Sequence, residues 1–343
     1  MRFVPLATLF VFAVTPAIAG NVIFITLDGV RYQEFFGGVQ KPGRATRPRG
    51  MPLFPKLRSS ARAGEAWIYG DGRETGEFRV GNLAALSLPG YRAMLSGEFE
   101  DRCRGNDCEN IDRETIFDGM IDRGFPARDV TAFTSWDGLG RALESHPGRI
   151  TRDVDRDPYP TTAVDPDEKS RAEAIMRLDS ADRPIWGARR DAYTFSLAKL
   201  YLERHRPRFL YLSLLDSDEY GHLNRYRAYT DALLRYDGWI AELRDLLAGM
   251  GEYGEDTSIV VTTDHGRGRG WFWATHGKKV ASSFRTWAVV LPSAKLRSEG
   301  VVRPRKADGY SQLDIRPTLE SLLGLPKVGA PSANRTGISL VEP

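Results

Sequence analysis

Three segments carry the residues best suited to chemistry. Asp28-Gly29 follows the apolar run Val22–Leu27, Asp216-Ser217-Asp218 follows Phe209–Leu215, and Asp264-His265-Gly266 follows Ser258–Thr262. A single Asp after a strand is commonly only a turn or helix-cap residue. Three of them gathered at one sheet edge would repel one another in a low-dielectric cleft, and a bound cation is the simplest compensation. Histidines sharpen this reading. Of the five in the chain, His222 lies four residues after Asp218, a spacing that puts both on one face of a helix. His265 directly follows Asp264. His276, before Gly277, lies beyond the glycine-rich loop Gly266–Gly270. Carboxylate and imidazole donors together suit zinc, with manganese as the alternative. His146, before Pro147, and His205, at a helix end, read as surface residues without a role.

A nucleophile is also needed. Ser87 precedes Leu88-Pro89-Gly90-Tyr91 and a segment, Arg92–Gly97, that suits a helix. It would then sit near a helix N-terminus, where free N–H groups and the helix dipole favour anions. A plain N-cap serine has the same signature. A serine hydroxyl is a weak nucleophile, and a divalent cation can favour its alkoxide in place of a general base.

The elements that must position these residues are legible as a pattern. Val22–Leu27, Val130–Thr134, Phe209–Leu215, Ser258–Thr262 and Trp287–Leu291 are near-continuous apolar runs, which predicts strands covered on both faces. Helices are expected over Arg113–Arg123, Asp191–Arg204, Asn224–Met250, which Gly251 would stop, and Gln312–Leu323. Strands alternating with helices imply an α/β fold with a doubly wound, mostly parallel sheet. In such sheets ligands bind beyond the carboxyl ends of the strands, where the acids lie. Residues 37–80, rich in Gly, Pro and Arg, and 146–187, rich in Asp, Arg and Pro, show no clear periodicity. They read as insertions or caps over the site in a single catalytic domain spanning 20–343.

Composition narrows the partners. Apolar residues make up 41% and charged residues 27%, ordinary globular values. Lys and Arg number 48 against 45 Asp and Glu, and no long run of one sign occurs. That balance argues against a nucleic-acid polymer as the main partner. At the N-terminus Arg2 precedes an apolar stretch, Phe3–Val14, and Ala17-Ile18-Ala19 fits a signal-peptide cleavage site. Residues 1–19 are therefore expected to be a signal peptide, and the mature protein to be exported to a periplasm or secreted. No segment after it is long and apolar enough to span a bilayer. Cys103 and Cys108 lie in a polar loop and would close a small disulfide ring in an oxidising compartment. Two free thiols are the alternative, and a thiolate zinc site lacks further ligands nearby.

Taken in order, Asp28-Gly, Ser87-x-Pro, Asp218-x-x-x-His222, Asp264-His265-Gly and His276-Gly resemble the alkaline phosphatase superfamily, and within it the nucleotide pyrophosphatase/phosphodiesterase and related bacterial phosphatase branches. The resemblance spans roughly residues 21–325. It implies two divalent ions, one held by Asp28, Ser87, Asp264 and His265, the other by Asp218, His222 and His276. It implies that Ser87 attacks the phosphorus of a small-molecule phosphate mono- or diester in line, and that water then hydrolyses the phospho-enzyme. Asp216 has no match in the pattern and reads as a supporting acid. Asn82, Lys278 and Arg92 are candidates to grip the phosphoryl oxygens, with no motif to choose between them. Sulfatases share the fold, but they need an aldehyde-forming Cys or Ser with an Arg one place nearer than Arg92 is to Ser87. Phosphotransferases and mutases share the motif order, and a retired scaffold would be a non-catalytic metal-binding protein. Turnover of phosphate and sulfate esters separates these readings.

Overall fold

The computed structural model describes residues 20–41, 44, 46–73, 75–160, 165–182, 184, 187–303, 309–326 and 337–342. The signal-like segment 1–19 lies outside the described residues. Ten strands are described: β1 Asn21–Leu27, β2 Trp67–Tyr69, β3 Phe78–Arg79, β4 Val130–Thr134, β5 Thr151–Val154, β6 Phe209–Leu214, β7 Thr257–Thr262, β8 Arg285–Thr286, β9 Ala288–Leu291 and β10 Tyr310–Ser311. Seven form one sheet in the order β2-β9-β7-β1-β6-β4-β5, and β10-β3-β8 form a second, small one. The run β7-β1-β6-β4-β5 is parallel, and β9 lies antiparallel to both its neighbours. This is an α/β architecture with a mostly parallel sheet.

The apolar runs behave as buried strands should. Side chains alternate between the two faces, and both faces are covered. Ile23, Ile25 and Leu27 of β1 join Leu210, Leu212 and Leu214 of β6 in one apolar layer. Val22 and Phe24 join Phe209 and Tyr211 in the other. The first layer is closed by the helices Asp191–His205 and Tyr226–Ala248, through Leu197, Tyr201, Tyr229 and Leu233 among others. The second is closed by the helices Ser87–Ser96, Ile116–Asp122 and Ile315–Leu322. Thr115 caps Ile116–Asp122 with a reciprocal capping box to Asp118. That cap sets the helix start three residues after the expected Arg113.

The two stretches without periodicity are not merely loop. Residues 37–80 hold the helix Pro55–Arg62 and strands β2 and β3, and 146–187 hold β5 and the helix Pro166–Ala181. Strands β2 and β5 are the outermost strands of the main sheet. Three or four residues are too few to display a period of two. Cys103 and Cys108 are disulfide-bonded, with Cα atoms 5.8 Å apart.

Register places the chemistry. Thr26 of β1 is level with Ser213 of β6 and Thr262 of β7. The chain segments leaving these three adjacent strands therefore begin at one height, and Asp28, Asp218 and Asp264 emerge together at the carboxyl edge.

Candidate metal centre

Two groups of ligand atoms converge at that edge. Asp28, Asp264 and His265 form one and Asp218, His222 and His276 the other, the donor atoms of each lying within 4.8 Å of one another. Asp28, Asp264, His265 and Asp218 are buried, whereas His222 is half-exposed. The turn after β1 is made by Gly29, whose φ of 64° favours glycine. Its N–H donates to Asp264 Oδ1 at 2.9 Å. A Cβ here would collide with the Asp218 carboxylate and Arg267, so only glycine lets the two groups approach.

Ser87 lies between β1 and His265. It is the first residue of the helix Ser87–Ser96, and its Oγ is 3.3 Å from His265 Nε2 and 3.5 Å from Asp28 Oδ1. One turn on, the Tyr91 hydroxyl donates to Asp28 Oδ2 at 2.8 Å, so one helix face holds both oxygens of Asp28. The preceding loop is shaped by Asn82, whose Oδ1 accepts the N–H groups of Ala84 at 2.9 Å and Ala85 at 2.7 Å. Ala85 adopts φ of 47°, rare for a non-glycine residue, two residues before Ser87.

The imidazoles present bare nitrogens. His265 Nδ1 is 2.9 Å from the Gly266 carbonyl, and His276 Nδ1 is 3.2 Å from the Ala85 carbonyl. A carbonyl can only accept, so each Nδ1 carries the proton and each Nε2 keeps its lone pair. Burial pushes the His265 pKa down to about 4. Burial and the neighbouring His265 push His276 down to about 3. Both rings are therefore neutral at ordinary pH, the form that binds a metal. They stack at 3.9 Å between centroids. His222 Nε2 is 2.8 Å from Asp218 Oδ2 and 3.1 Å from His276 Nε2, so three donor atoms point at one place.

The carboxylates lack matching positive charge. Burial, then Asp264 and Asp218, push the Asp28 pKa well above the usual carboxylate range. Burial and Asp218 push Asp264 to about 6. Asp264 Oδ2 is buried with no hydrogen-bond partner. Burial also raises Asp218, but the Arg267 guanidinium and the hydrogen bond with His222 outweigh it and hold Asp218 well below the usual range. Arg267, itself fully buried, donates to the Asp218 carbonyl at 2.7 Å and pairs with its carboxylate. Neutral imidazole nitrogens, an orphaned carboxylate oxygen and under-compensated acids fit a pair of divalent cations.

The remaining candidates divide. Arg92 does not face the ligand groups: its guanidinium donates to Glu100 at 2.8 Å and to the Glu109 carbonyl at 2.9 Å, tying the disulfide-closed loop to the helix that carries Ser87. Lys278 is exposed, two residues after His276. Asn82 is buried, with its Nδ2 unpartnered. Asp216 stays outside both groups, its carboxylate 3.6 Å from Arg235. Sequence reasoning missed Arg267, Tyr91 and Asn106. Asn106 rides in the Cys103–Cys108 loop, and its Oδ1 accepts the Leu88 N–H at 3.0 Å, beside Ser87. The burial of Arg267 within the Gly-Arg-Gly-Arg-Gly loop gave no sequence signal; Tyr91, four residues after Ser87, could have been found from helical spacing.

This fold occurs in solved structures. One is a protein in the alkaline phosphatase superfamily from Vibrio parahaemolyticus, similar at 15% identity and a TM-score of 0.51 over 90% of this chain and 67% of that one. A family model of type I phosphodiesterases and nucleotide pyrophosphatases matches residues 119–274, which include Asp218, His222, Asp264 and His265. The fold is that of the alkaline phosphatase superfamily. Other solved structures with this fold include a phosphonate monoester hydrolase from Silicibacter pomeroyi, at 15% identity and a TM-score of 0.55 over 94% of this chain and 76% of that one. The C-terminal periplasmic domain of EptC from Escherichia coli, in complex with Zn, shares it at 10% identity and a TM-score of 0.54 over 91% of this chain and 84% of that one. No curated protein matches the sequence. The fold agrees with the ordered motifs, and at these identities the structural likeness speaks for the fold alone.

Proposed function

We propose that this chain is a metal-dependent hydrolase of phosphate mono- or diesters that works through a phospho-enzyme on Ser87. The observation that carries the reading is the position of Ser87 Oγ, 3.3 Å from His265 Nε2 and 3.5 Å from Asp28 Oδ1, within a site of under-compensated carboxylates. Asp28, Ser87, Asp264 and His265 would hold one divalent ion and Asp218, His222 and His276 the other, with zinc favoured by the donor set and manganese the alternative. Such ions neutralise the phosphoryl oxygens and favour the alkoxide of the attacking serine.

The protein's own groups supply the rest. Ser87 is the first residue of its helix, where the positive end of the helix dipole favours an incoming anion. Its hydroxyl proton passes to solvent as Oγ bonds to phosphorus and the ester oxygen leaves with its electron pair; water then cleaves the phosphoserine, giving phosphate from a monoester or a phosphate monoester from a diester, and the free hydroxyl. Asn106, whose carbonyl is fixed by Leu88, would offer its amide N–H groups to a phosphoryl oxygen. The Nδ1–H bonds of His265 and His276 hold both rings in the ligand tautomer.

The test uses metal-reconstituted protein and three chromogenic esters: a phosphate monoester, a phosphate diester and a sulfate ester. One or both phosphate esters should turn over and the sulfate ester should not. Ser87→Ala should lose at least about 1,000-fold in kcat while keeping much of its metal. Retention of most activity in that variant would remove Ser87 from the mechanism, and turnover of the sulfate ester alone would overturn the substrate class.

A further inference from the structure

The loop that joins His265 to His276 carries an unusual tip. Trp271 and Phe272, adjacent in sequence, are 87% and 71% exposed. Exposing two large aromatic rings side by side leaves apolar surface in water that most folds would bury. Their backbone is well held. Gly268 donates to the Thr275 carbonyl at 2.7 Å, closing the loop beneath them, and the next residue, Trp273, is fully buried with its indole N–H donating to Asn224 at 2.7 Å. The rings thus project from a fixed base.

Cations surround the tip. Lys41 Nζ lies 5.7 Å from the Trp271 ring centroid. Arg44 donates to the same Asn224 Oδ1 that Trp273 uses, at 2.9 Å. Arg269, two residues before Trp271, lies over the Tyr32 ring and donates to its hydroxyl. Among the described residues, Lys41, Arg44 and Arg269 have no carboxylate within ion-pair distance. The nearby Glu34 is buried and engaged with Arg31 at 2.7 Å. Exposed aromatic rings flanked by unpaired Lys and Arg match the boundary of an anionic bilayer. There the rings sit among the headgroups and the cations meet lipid phosphates.

We propose that the Trp271–Phe272 tip, with Lys41, Arg44 and Arg269, docks the protein on an anionic lipid surface. This goes beyond the hydrolase reading and stands apart from it, since binding can be measured without turnover. No helix among the described residues is long and apolar enough to cross a membrane, so the contact is peripheral. It would turn the loop between two candidate metal ligands towards esters displayed at the surface.

Co-sedimentation of the metal-loaded full chain with phosphatidylcholine vesicles, with and without phosphatidylglycerol, tests this. The protein should sediment with the phosphatidylglycerol vesicles and much less with phosphatidylcholine alone, and added salt should release it. Trp271→Ser combined with Phe272→Ser should weaken binding at least about ten-fold. Lys41→Glu combined with Arg269→Glu should weaken it at least as much, since each cation near an anionic surface contributes roughly a five-fold factor. Both variants should keep the parent melting temperature and hydrolyse a soluble ester at the parent rate. Failure of the parent protein to bind phosphatidylglycerol vesicles, or equal binding by the aromatic variant, overturns the proposal. Unchanged sedimentation with lost hydrolysis of the soluble ester would assign the rings to the small-molecule site and overturn it as well. Neither result would bear on Ser87.

Discussion

Asp264 serves two environments with one carboxylate. Oδ1 accepts the Gly29 N–H at 2.9 Å, while Oδ2 is buried without a partner. In metal-free protein, burial and Asp218 raise its pKa from 3.8 to about 6. The folded state then holds a proton that the unfolded chain has already released. Stability from this group is fully present below about pH 4 and is lost as pH rises through about 6. Metal-free protein should therefore melt progressively earlier between about pH 4.5 and 6.5, by up to about 2–3 kcal/mol from this group. Asp264→Asn keeps the Oδ1 acceptor and removes the titration, so its melting temperature should slope less over the same range. Parallel slopes in the two proteins, measured with metal chelated, would refute the assignment. The acids and imidazoles themselves were legible because each follows an apolar strand or sits in a glycine-flanked motif. Arg267 was not, because sequence does not say which arginine of a loop is buried. Arg92 looked available for phosphate only because Glu100, its partner, is recruited by a turn that sequence does not display.

At the scale of elements, the site depends on how closely one helix meets one strand end. Gly90, in the first turn of the helix Ser87–Ser96, would put a Cβ 2.6 Å from the Asp264 backbone oxygen. Backbone cannot yield as a flexible side chain can. Gly90→Ala should push the helix away from His265 and Asp264, costing about 1–3 kcal/mol of stability and on the order of 100-fold in kcat for a displacement near 1 Å. Gly238→Ala is the control. It lies within the helix Tyr226–Ala248, where an added Cβ meets nothing within 4 Å, so it should be neutral or slightly stabilising. Kinetics on a soluble phosphate ester with both variants decide this, and parent-like turnover by Gly90→Ala would show that the contact is not tight. The central strands that hold this geometry could be read from sequence, because residues buried on both faces leave unbroken apolar runs such as Phe209–Leu214. Strands β2 and β5 could not. Each is short and lies at a sheet edge, and only pairing with a neighbour defines it.

Over the whole molecule, the two apolar layers and the ligand cluster make separable contributions. The layers lie on opposite faces of the sheet and are built from apolar contacts, and the helix Ser87–Ser96 serves both the second layer and the site. The cluster draws its ligands from the segments that follow β1, β6 and β7 and from the loop ending at His276. Two divalent ions bound there would together join five separate stretches of chain, that of Ser87 included, and compensate carboxylates that otherwise repel. Each ion that binds only the folded state at about 100 times its dissociation constant adds about 2.7 kcal/mol, which for a chain of this size raises the melting temperature by on the order of 5 °C. Chelation should remove that increment and abolish ester hydrolysis together, and restored zinc should return both. Far-UV circular dichroism at room temperature should hardly change on chelation, because the sheet and both layers persist. Loss of secondary structure on chelation at that temperature would mean that the ions hold the fold itself. A melting temperature and turnover indifferent to thorough chelation would leave the convergence of Asp28, Asp218 and Asp264 without its proposed cause.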